Sequence, residues 1–276
     1  MLIGLNGATT MRASLETDIE VASTAGYDLL EIWGAKLDEY LKTHNPEDLA
    51  VLLRQANVAP YSINSIERIN LRPADDYQRI KEMCHYYSDI AGAIGCPNVV
   101  VVPSPAPAGV TKAEIQDNAV AVLDELAGIA GGCGVQLAFE MLGPRECSVS
   151  TLHDAWEIVR RVDRKNVGLV LDTFHFYVGG STLSSIMELD PRKLFIFHIN
   201  DVEKGARETL TDAQRLLPGE GVIPLNDICR GLRNAGYKHM VSIELFRPEY
   251  WAWDALRLAR EAKSRTERIV DSIWRS

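Results

Sequence analysis

The sequence lacks the segments that would carry a chain into or across a membrane. No stretch of its 276 residues approaches the roughly 18 uninterrupted apolar residues that span a bilayer. Its first residues, MLIGLNGATTMRASLE, contain no basic segment followed by an apolar one, as a signal peptide would. We therefore expect a soluble, unprocessed, cytoplasmic protein that does not bind membranes.

Cysteine is scarce and badly placed for cross-links. The five cysteines are odd in number, widely spaced and form no CxxC pair. This pattern disfavours both a disulfide framework and a structural zinc cluster. Reduced thiols in a cytoplasmic protein are the simpler interpretation.

Positive charge is in deficit, with 29 Lys and Arg residues against 38 Asp and Glu residues and a formal net charge of −9. A phosphate backbone would repel such a chain, so nucleic acid is disfavoured as a partner. Nucleotide-binding glycine motifs are also missing. The early segment LIGLNGATT supplies no GxGxxG, and GEG at 219–221 follows no predicted strand and has no P-loop lysine.

The chain does contain a regular alternation of short apolar runs and longer segments with helical periodicity. The runs predict strands at residues 2–6, 28–33, 60–64, 98–103, 135–140, 167–172, 194–199 and 241–245. Helices are expected at residues 14–25, 46–57, 75–94, 112–130, 151–162, 183–189, 225–235 and 252–274. Ser14, Asn45 and Thr111 are predicted to cap three of these helices.

The strand–helix alternation predicts an α/β fold, the TIM (β/α)8 barrel. Runs such as VVVV at 99–102 and LFIF at 194–197 are continuously apolar, which is typical of parallel strands covered by helices. Eight such units in 276 residues match the size of this barrel. Because no linker or low-complexity tract divides the chain, we expect one domain over residues 1–276. A doubly wound sheet is the alternative.

Four ionisable residues end or nearly end predicted strands in the second half of the chain: Glu140, Asp172, His198 and Glu244. In a TIM barrel the active site lies at the carboxyl ends of the strands. Carboxylates in apolar strands are costly unless they are paired or metal-bound, and this donor set suits Mn²⁺, Mg²⁺, Co²⁺ or Zn²⁺. Taken singly, Asp172 is as well explained as a helix cap, and His198 as a core histidine.

Several motifs resemble those of the xylose isomerase-like TIM barrels, a superfamily of sugar isomerases and epimerases that also contains endonuclease IV. The resemblance runs the whole length of the chain, and NGATT and ELFRPEY are most similar to segments of the inosose isomerases. The motifs are FE at 139–140, LDTFH at 171–175, FHIND at 197–201, PGEG at 218–221 and SIELFRPEY at 242–250.

The resemblance implies a metal site and an acid–base pair. Glu140, Asp172, His198 and Glu244 fall on the ligands of the family's single divalent metal ion, and Glu140 and Glu244 also fall on its catalytic acid and base. The implied reaction interconverts 2-keto-myo-inositol and 1-keto-D-chiro-inositol through a cis-enediolate, as a step of inositol catabolism. It needs no redox cofactor.

The resemblance also implies substrate contacts and leaves alternatives open. His175 and Arg215 fall on residues that contact the polyol or keto-sugar substrate. A ketose 3-epimerase or a hydroxypyruvate isomerase would use the same metal and glutamates; the epimerases carry a further glutamate at the position of Glu146. An endonuclease IV-type nuclease would need three zinc ions and more histidines than the six present. An intact set of four ligands disfavours a non-catalytic binding protein.

Four further residues are candidates for lining the substrate pocket. Asn6 and Glu31 end or nearly end the first two strands and are expected to contact polyol hydroxyls. Arg247 and Glu249 line the pocket or form a salt bridge that anchors the last helix.

The aromatic cluster Tyr250, Trp251 and Trp253 stacks on a sugar ring, packs at a subunit contact or packs within the chain. A homodimer is conceivable for this reason.

Overall fold

The computed structural model describes residues 1–275. Within them, eight parallel strands close a barrel in the order β1, β10, β7, β6, β5, β4, β3 and β2, and two short strands, β8 and β9, form a separate antiparallel pair. In chain order the strands are β1 (Leu2–Asn6), β2 (Leu29–Trp33), β3 (Ala59–Ile66), β4 (Asn98–Val101), β5 (Gln136–Glu140), β6 (Val167–Asp172), β7 (Leu194–Ile199), β8 (Asp201–Val202), β9 (Arg215–Leu216) and β10 (Met240–Ile243).

Helices connect the barrel strands and cover their outer face. They are α1 (Leu15–Ala25), α2 (Gly34–Tyr40), α3 (Pro46–Ala56), α4 (Ala74–Ile94), α5 (Lys112–Gly132), α6 (Leu152–Val162), α7 (Thr173–Val178), α8 (Leu183–Met187), α9 (Leu225–Ala235) and α10 (Ala255–Trp274). The predicted caps are confirmed, since the side chains of Ser14, Asn45 and Thr111 accept backbone N–H bonds at the starts of α1, α3 and α5. No helix within residues 1–275 is long and apolar enough to cross a bilayer.

The core has two layers. The interior of the barrel is filled by side chains that include Val100, Ala138, Val170 and Ile196. A larger apolar layer lies between the strands and the helices that cover them. Because both faces of each barrel strand are buried, the strands are continuously apolar in sequence.

The predicted TIM barrel is confirmed, and the doubly wound alternative is wrong because the strands close into a ring. Strands β1, β6 and β7 have the predicted bounds, whereas β10 ends at Ile243, so that Glu244 follows the strand directly. Helices α2 and α7 and the β8–β9 pair were not predicted. Helix α7 begins immediately after Asp172, which brings its first turn to the carboxyl end of the barrel.

Candidate active site

Glu140, Asp172, His198 and Glu244 converge at the carboxyl end of the barrel. One ligand atom from each lies within 4.8 Å of the others, and all four residues are buried. Nδ1 of His198 is 3.3 Å from Oε1 of Glu140 and 3.3 Å from Oε2 of Glu244. Two donors that bind one ion at about 2.1 Å with tetrahedral geometry lie about 3.4 Å apart. The spacing therefore fits a single divalent ion.

The electrostatics of this cluster also suit a cation. Burial raises the pKa of Glu140 above its usual value. Burial would raise the pKa of Glu244 as well, but His198 and Arg215 outweigh it and lower that pKa. Burial would lower the pKa of His198, yet the surrounding glutamates raise it well above the ordinary imidazole value. Without a metal ion, the carboxylates around His198 therefore favour the protonated form of its imidazole.

Asp172 serves as a helix cap and as a member of the cluster at the same time. Its Oδ1 accepts the backbone N–H of His175 at 2.8 Å, which caps α7. Its Oδ2 accepts bonds from Asn200 at 2.6 Å and from Arg215 at 2.9 Å. The capping interpretation and the metal-ligand interpretation are thus compatible, because they use different oxygens.

Glu244 is held by two amides, one from the neighbouring strand β1 and one from β3. Its Oε1 accepts bonds from Asn6 at 3.1 Å and from Asn64 at 2.9 Å. Its Oε2 therefore points towards Nδ1 of His198 at 3.3 Å and Nη1 of Arg215 at 3.1 Å. This orientation leaves Oε2 as the oxygen available to an ion or a substrate.

Arg215 is fully buried against the cluster. Its Nε and Nη2 contact Asp212 at 2.9 and 2.7 Å, and its Nη1 contacts Asp172 and Glu244. The guanidinium also lies 4.8 Å from the ring centroid of Phe174 and 5.1 Å from that of Phe246. Burial disfavours its charge, but the carboxylates outweigh burial and raise the pKa of Arg215. It is a permanent cation beside the candidate ligands.

His175 lies on the cavity wall and bonds to Arg215. Its Nε2 lies 3.2 Å from Nη2 of Arg215, and a guanidinium can only donate. Nε2 must then accept, so the ring proton is on Nδ1. Among the described residues Nδ1 has no hydrogen-bond partner, although it is buried. A buried N–H that lacks a partner requires an explanation, and a hydrogen bond to a bound ligand is one.

The cavity above the cluster has a volume of about 320 Å³. Its polar lining includes Glu140, Glu244, His175 and Arg215, together with Asn64, Ser65, Glu67, Arg68, Glu146 and Asp212. Apolar groups face them, including Val102, Leu142, Trp33 and Phe246, and the last two rings meet edge to face with centroids 5.6 Å apart. The size is within the range of small-molecule sites, and a few convergent polar groups in an apolar wall are typical of them.

Two expectations about substrate contacts are not met. Asn6 and Glu31 are fully buried and bond to candidate ligands, Asn6 to Glu244 and Glu31 to His198, so they lie beneath the cavity rather than on its wall. Arg247 forms salt bridges with Glu203 at 2.7 Å and with Glu249 at 3.3 Å. The salt-bridge explanation therefore applies to Arg247 and Glu249.

The aromatic cluster packs within the chain. The Tyr250 hydroxyl accepts from the backbone of Leu217, Trp251 donates to the carbonyl of Ala8, and the Tyr250 and Trp253 rings meet edge to face. The three residues do not line the cavity above the candidate ligands, so they do not stack on a substrate bound there.

Sequence reasoning missed several residues that hold the cluster, namely Ser62, Asn64 and Asn200. Asn64 and Asn200 are polar residues at or near the end of a predicted strand, whereas Ser62 lies within one. The strand-end position is the same signal that identified the three acids and the histidine.

Comparisons with known proteins agree with this architecture. Residues 19–267 match the protein family described as Xylose isomerase-like TIM barrel. The inosose isomerases of Bacillus velezensis and Bacillus subtilis are each 38% identical to this chain over 276 residues, which is 99% of this chain and 99% of theirs. The crystal structure of the IolI protein with a zinc atom bound has a TM-score of 0.96 and 37% identity, and 99% of each chain is covered.

A structure of D-psicose 3-epimerase with D-tagatose, from Clostridium cellulolyticum H10, has a TM-score of 0.78 and 19% identity, with 99% of each chain covered. At this identity the likeness concerns the fold alone.

Proposed function

Because this chain belongs to the xylose isomerase-like TIM barrel family, we propose that it is a divalent-metal-dependent isomerase that interconverts 2-keto-myo-inositol and 1-keto-D-chiro-inositol in inositol catabolism. The observation that carries the proposal is the 38% identity to inosose isomerases over the full length of the chain. The convergence of Glu140, Asp172, His198 and Glu244 beneath a small cavity supports it independently.

The reaction needs a proton to leave the carbon next to a carbonyl and another to arrive on the neighbouring carbon. A divalent ion held by Glu140, Asp172, His198 and Glu244 would polarise the carbonyl and stabilise the charge of the cis-enediolate. Mn²⁺, Zn²⁺, Co²⁺ and Mg²⁺ all suit these oxygen and nitrogen donors.

Glu140 and Glu244 are proposed as the groups that move the proton. They lie on the cavity wall, and one oxygen of each is 3.3 Å from Nδ1 of His198. One carboxylate takes the proton from one carbon, and the other carboxyl group, or the same one, returns a proton to the next. Their burial excludes bulk water, which would otherwise compete for these protons.

His175 and Arg215 are proposed to orient the substrate. The free N–H at Nδ1 of His175 is available to a carbonyl or hydroxyl oxygen. Arg215 keeps that tautomer in place by donating to Nε2, and its charge offsets the charge of the carboxylates around it. The apolar wall of Trp33 and Phe246 suits the C–H face of a carbocyclic ring.

A ketose 3-epimerase is the second candidate, and one observation favours it. Glu146 lines the cavity, and it occupies the position at which the epimerases carry an additional glutamate. An epimerase would act on open-chain ketoses with the same acid–base pair.

An assay in D₂O separates the two candidates. The purified protein with Mn²⁺ is given 2-keto-myo-inositol and, separately, free ketohexoses, and NMR follows deuterium incorporation and product formation. We expect deuterium in the inososes together with their interconversion. Deuterium in the ketohexoses alone would reject the isomerase in favour of the epimerase.

Two variants test the acid–base pair in the same assay. Glu140→Gln and Glu244→Gln are each expected to lower kcat by about 10² to 10⁴-fold, because an amide cannot accept or return the proton. Glu249→Gln is the matched control, since Glu249 is exposed and lies outside the cavity wall. If all three variants keep wild-type activity, the assignment of the acid–base pair is wrong.

The remaining expectations about partners and location follow from the sequence. The net charge of −9 supports the proposal that the protein does not bind nucleic acid, and the reduced-thiol interpretation of its cysteines supports the proposal that it acts in the cytoplasm on a free polyol ketone. A single domain is proposed because no linker divides the chain, and a homodimer is proposed from the aromatic residues near the last helix.

A further inference from the structure

Glu31 is a buried carboxylate that reaches across the barrel to His198. It lies on β2 and is fully buried, and its Oε1 is 3.0 Å from Nε2 of His198 on β7. It does not line the cavity, so a substrate does not meet it. Among the four candidate ligands, the carboxylate contacts His198 directly, and Asn6 also links it to Glu244.

The neighbouring strands fix the direction in which Glu31 points. Asn6 on β1 and Ser62 on β3 are its partners in the register of the sheet. Ser62 donates to Oε2 at 2.6 Å, and Asn6 donates to Oε1 at 3.4 Å. Because Ser62 occupies Oε2, it is Oε1 that faces the imidazole.

The two nitrogens of His198 face different surroundings. Nδ1 points to Glu140 and Glu244 at 3.3 Å each, and Nε2 points to Glu31. A neutral imidazole carries one proton, and only the other nitrogen has a lone pair for a metal ion. A carboxylate beside Nε2 favours the proton there and leaves the Nδ1 lone pair for the ion.

We propose that Glu31 is a positioning residue for the metal centre, which selects the Nε2–H tautomer of His198 and aims Nδ1 at the ion. The inference rests on the proposed function, because it presupposes a metal ion among the four ligands. A carboxylate that accepts a bond from a ligating histidine fixes the ring and makes it a stronger donor. Loss of such a partner typically weakens metal binding by about 10 to 100-fold.

The test measures zinc affinity by competition with a chromophoric chelator, with no substrate present. Glu31→Met removes the acceptor, and we expect a loss towards the upper end of that range, about 100-fold. Glu31→Gln keeps a neutral carbonyl acceptor in a side chain of the same shape, so a smaller loss, about 10-fold, is expected. A zinc affinity that decreases from the wild type to Glu31→Gln and again to Glu31→Met indicates the loss of a hydrogen-bond acceptor.

A second measurement reports the tautomer directly. In the zinc-loaded protein with ¹⁵N-labelled histidine, long-range ¹H–¹⁵N spectra should show His198 protonated at Nε2 in the wild type. In Glu31→Met, zinc on Nδ1 still holds the ring proton on Nε2, but without its acceptor we expect that signal to shift and its proton to exchange faster with water. A purely structural role for Glu31 would change stability and leave that signal as it was.

Asp18→Asn is the matched control, since Asp18 is also a buried carboxylate but bonds to Lys36 and Thr10. It should lose stability and keep wild-type zinc affinity. Wild-type zinc affinity and an unchanged Nε2–H signal in both folded Glu31 variants would overturn this inference and leave the proposed function intact. If the wild-type protein itself binds no zinc, the metal site and this inference are both wrong.

Discussion

Arg215 is the permanent cation closest to the candidate ligands, and its position has a large energetic consequence. It contacts Asp172, Glu244 and Asp212, and it is completely buried. Removing one member of a buried ionic network leaves the other charges without compensation, which typically costs about 3–5 kcal/mol.

Arg215→Met should therefore lower the free energy of unfolding of the metal-free protein by about 3–5 kcal/mol, because methionine fills the space but carries no charge. Urea unfolding in the presence of EDTA measures this. Arg230→Met is the control, since Arg230 pairs with Asp227 on the surface and such pairs contribute about 0–1 kcal/mol. Equal midpoints for the two variants would show that the buried charges do not depend on Arg215.

At the scale of single residues, the sequence is sufficient to find the cluster but not the contacts that orient it. Glu140, Asp172 and His198 can be recognised because each interrupts an apolar strand near its carboxyl end. The link between Glu31 and His198 cannot be predicted in this way, because the two residues are 167 positions apart and meet only across the closed barrel. A strand-end pattern identifies residues that face the site without indicating which of them bond to each other.

At the scale of elements, strands and long helices can be predicted, and short elements cannot. The strands are buried on both faces and therefore stand out as apolar runs. Helix α7 has six residues, TFHFYV, which is too short for a helical period to be distinguished from the end of the preceding strand. The two-residue strands β8 and β9 pair across a loop, and nothing local in the sequence specifies that pairing.

Strand β6, which carries Asp172, has a close contact that only glycine permits. A Cβ at Gly168 would lie 2.5 Å from the carbonyl oxygen of Lys193 and 2.6 Å from the ring of Phe195. Gly168→Ala is thus expected to destabilise the protein by about 1–3 kcal/mol through overpacking in the barrel.

Gly128→Ala provides the matched control for this substitution. Gly128 lies inside α5, and an added Cβ there meets no atom within 4 Å. Alanine in a helix interior is favoured over glycine by about 0.8–1.0 kcal/mol, so this variant should be more stable than wild type. Urea midpoints measure both changes, and a Gly168→Ala protein as stable as wild type would show that β6 and β7 can separate without cost.

At the scale of the whole molecule, the barrel concentrates negative charge at one point. The chain carries a formal net charge of −9, and Glu31, Glu140, Asp172 and Glu244 lie together at its centre. A divalent ion that binds only the folded state should therefore contribute to global stability. At a free concentration 1,000 times its dissociation constant the contribution is about 4.1 kcal/mol.

This contribution should depend on pH, and its sign follows from the pKa values of the metal-free cluster. The pKa values of His198 and Glu140 are raised in the folded protein, so these groups stabilise the metal-free state at low pH, and that contribution is lost as the pH rises through the raised values. Metal binding requires both groups to be deprotonated, so the apparent affinity for zinc changes in the opposite sense and rises with pH. Both effects increase the difference in stability between the zinc-bound and the metal-free protein, so the stabilisation by zinc increases with pH.

We expect zinc to raise Tm by about 10 °C over the EDTA-treated protein near pH 8, given about 2–4 °C per kcal/mol for chains of this size, and by much less near pH 5.5. Scanning calorimetry at both pH values with matched zinc and EDTA samples measures the difference. His198→Asn should lose most of the zinc-dependent shift at either pH, because a ligand and the titrating imidazole are both removed. A shift in the wild type that stays constant between the two pH values would mean that zinc binds elsewhere, at groups whose protonation it does not displace.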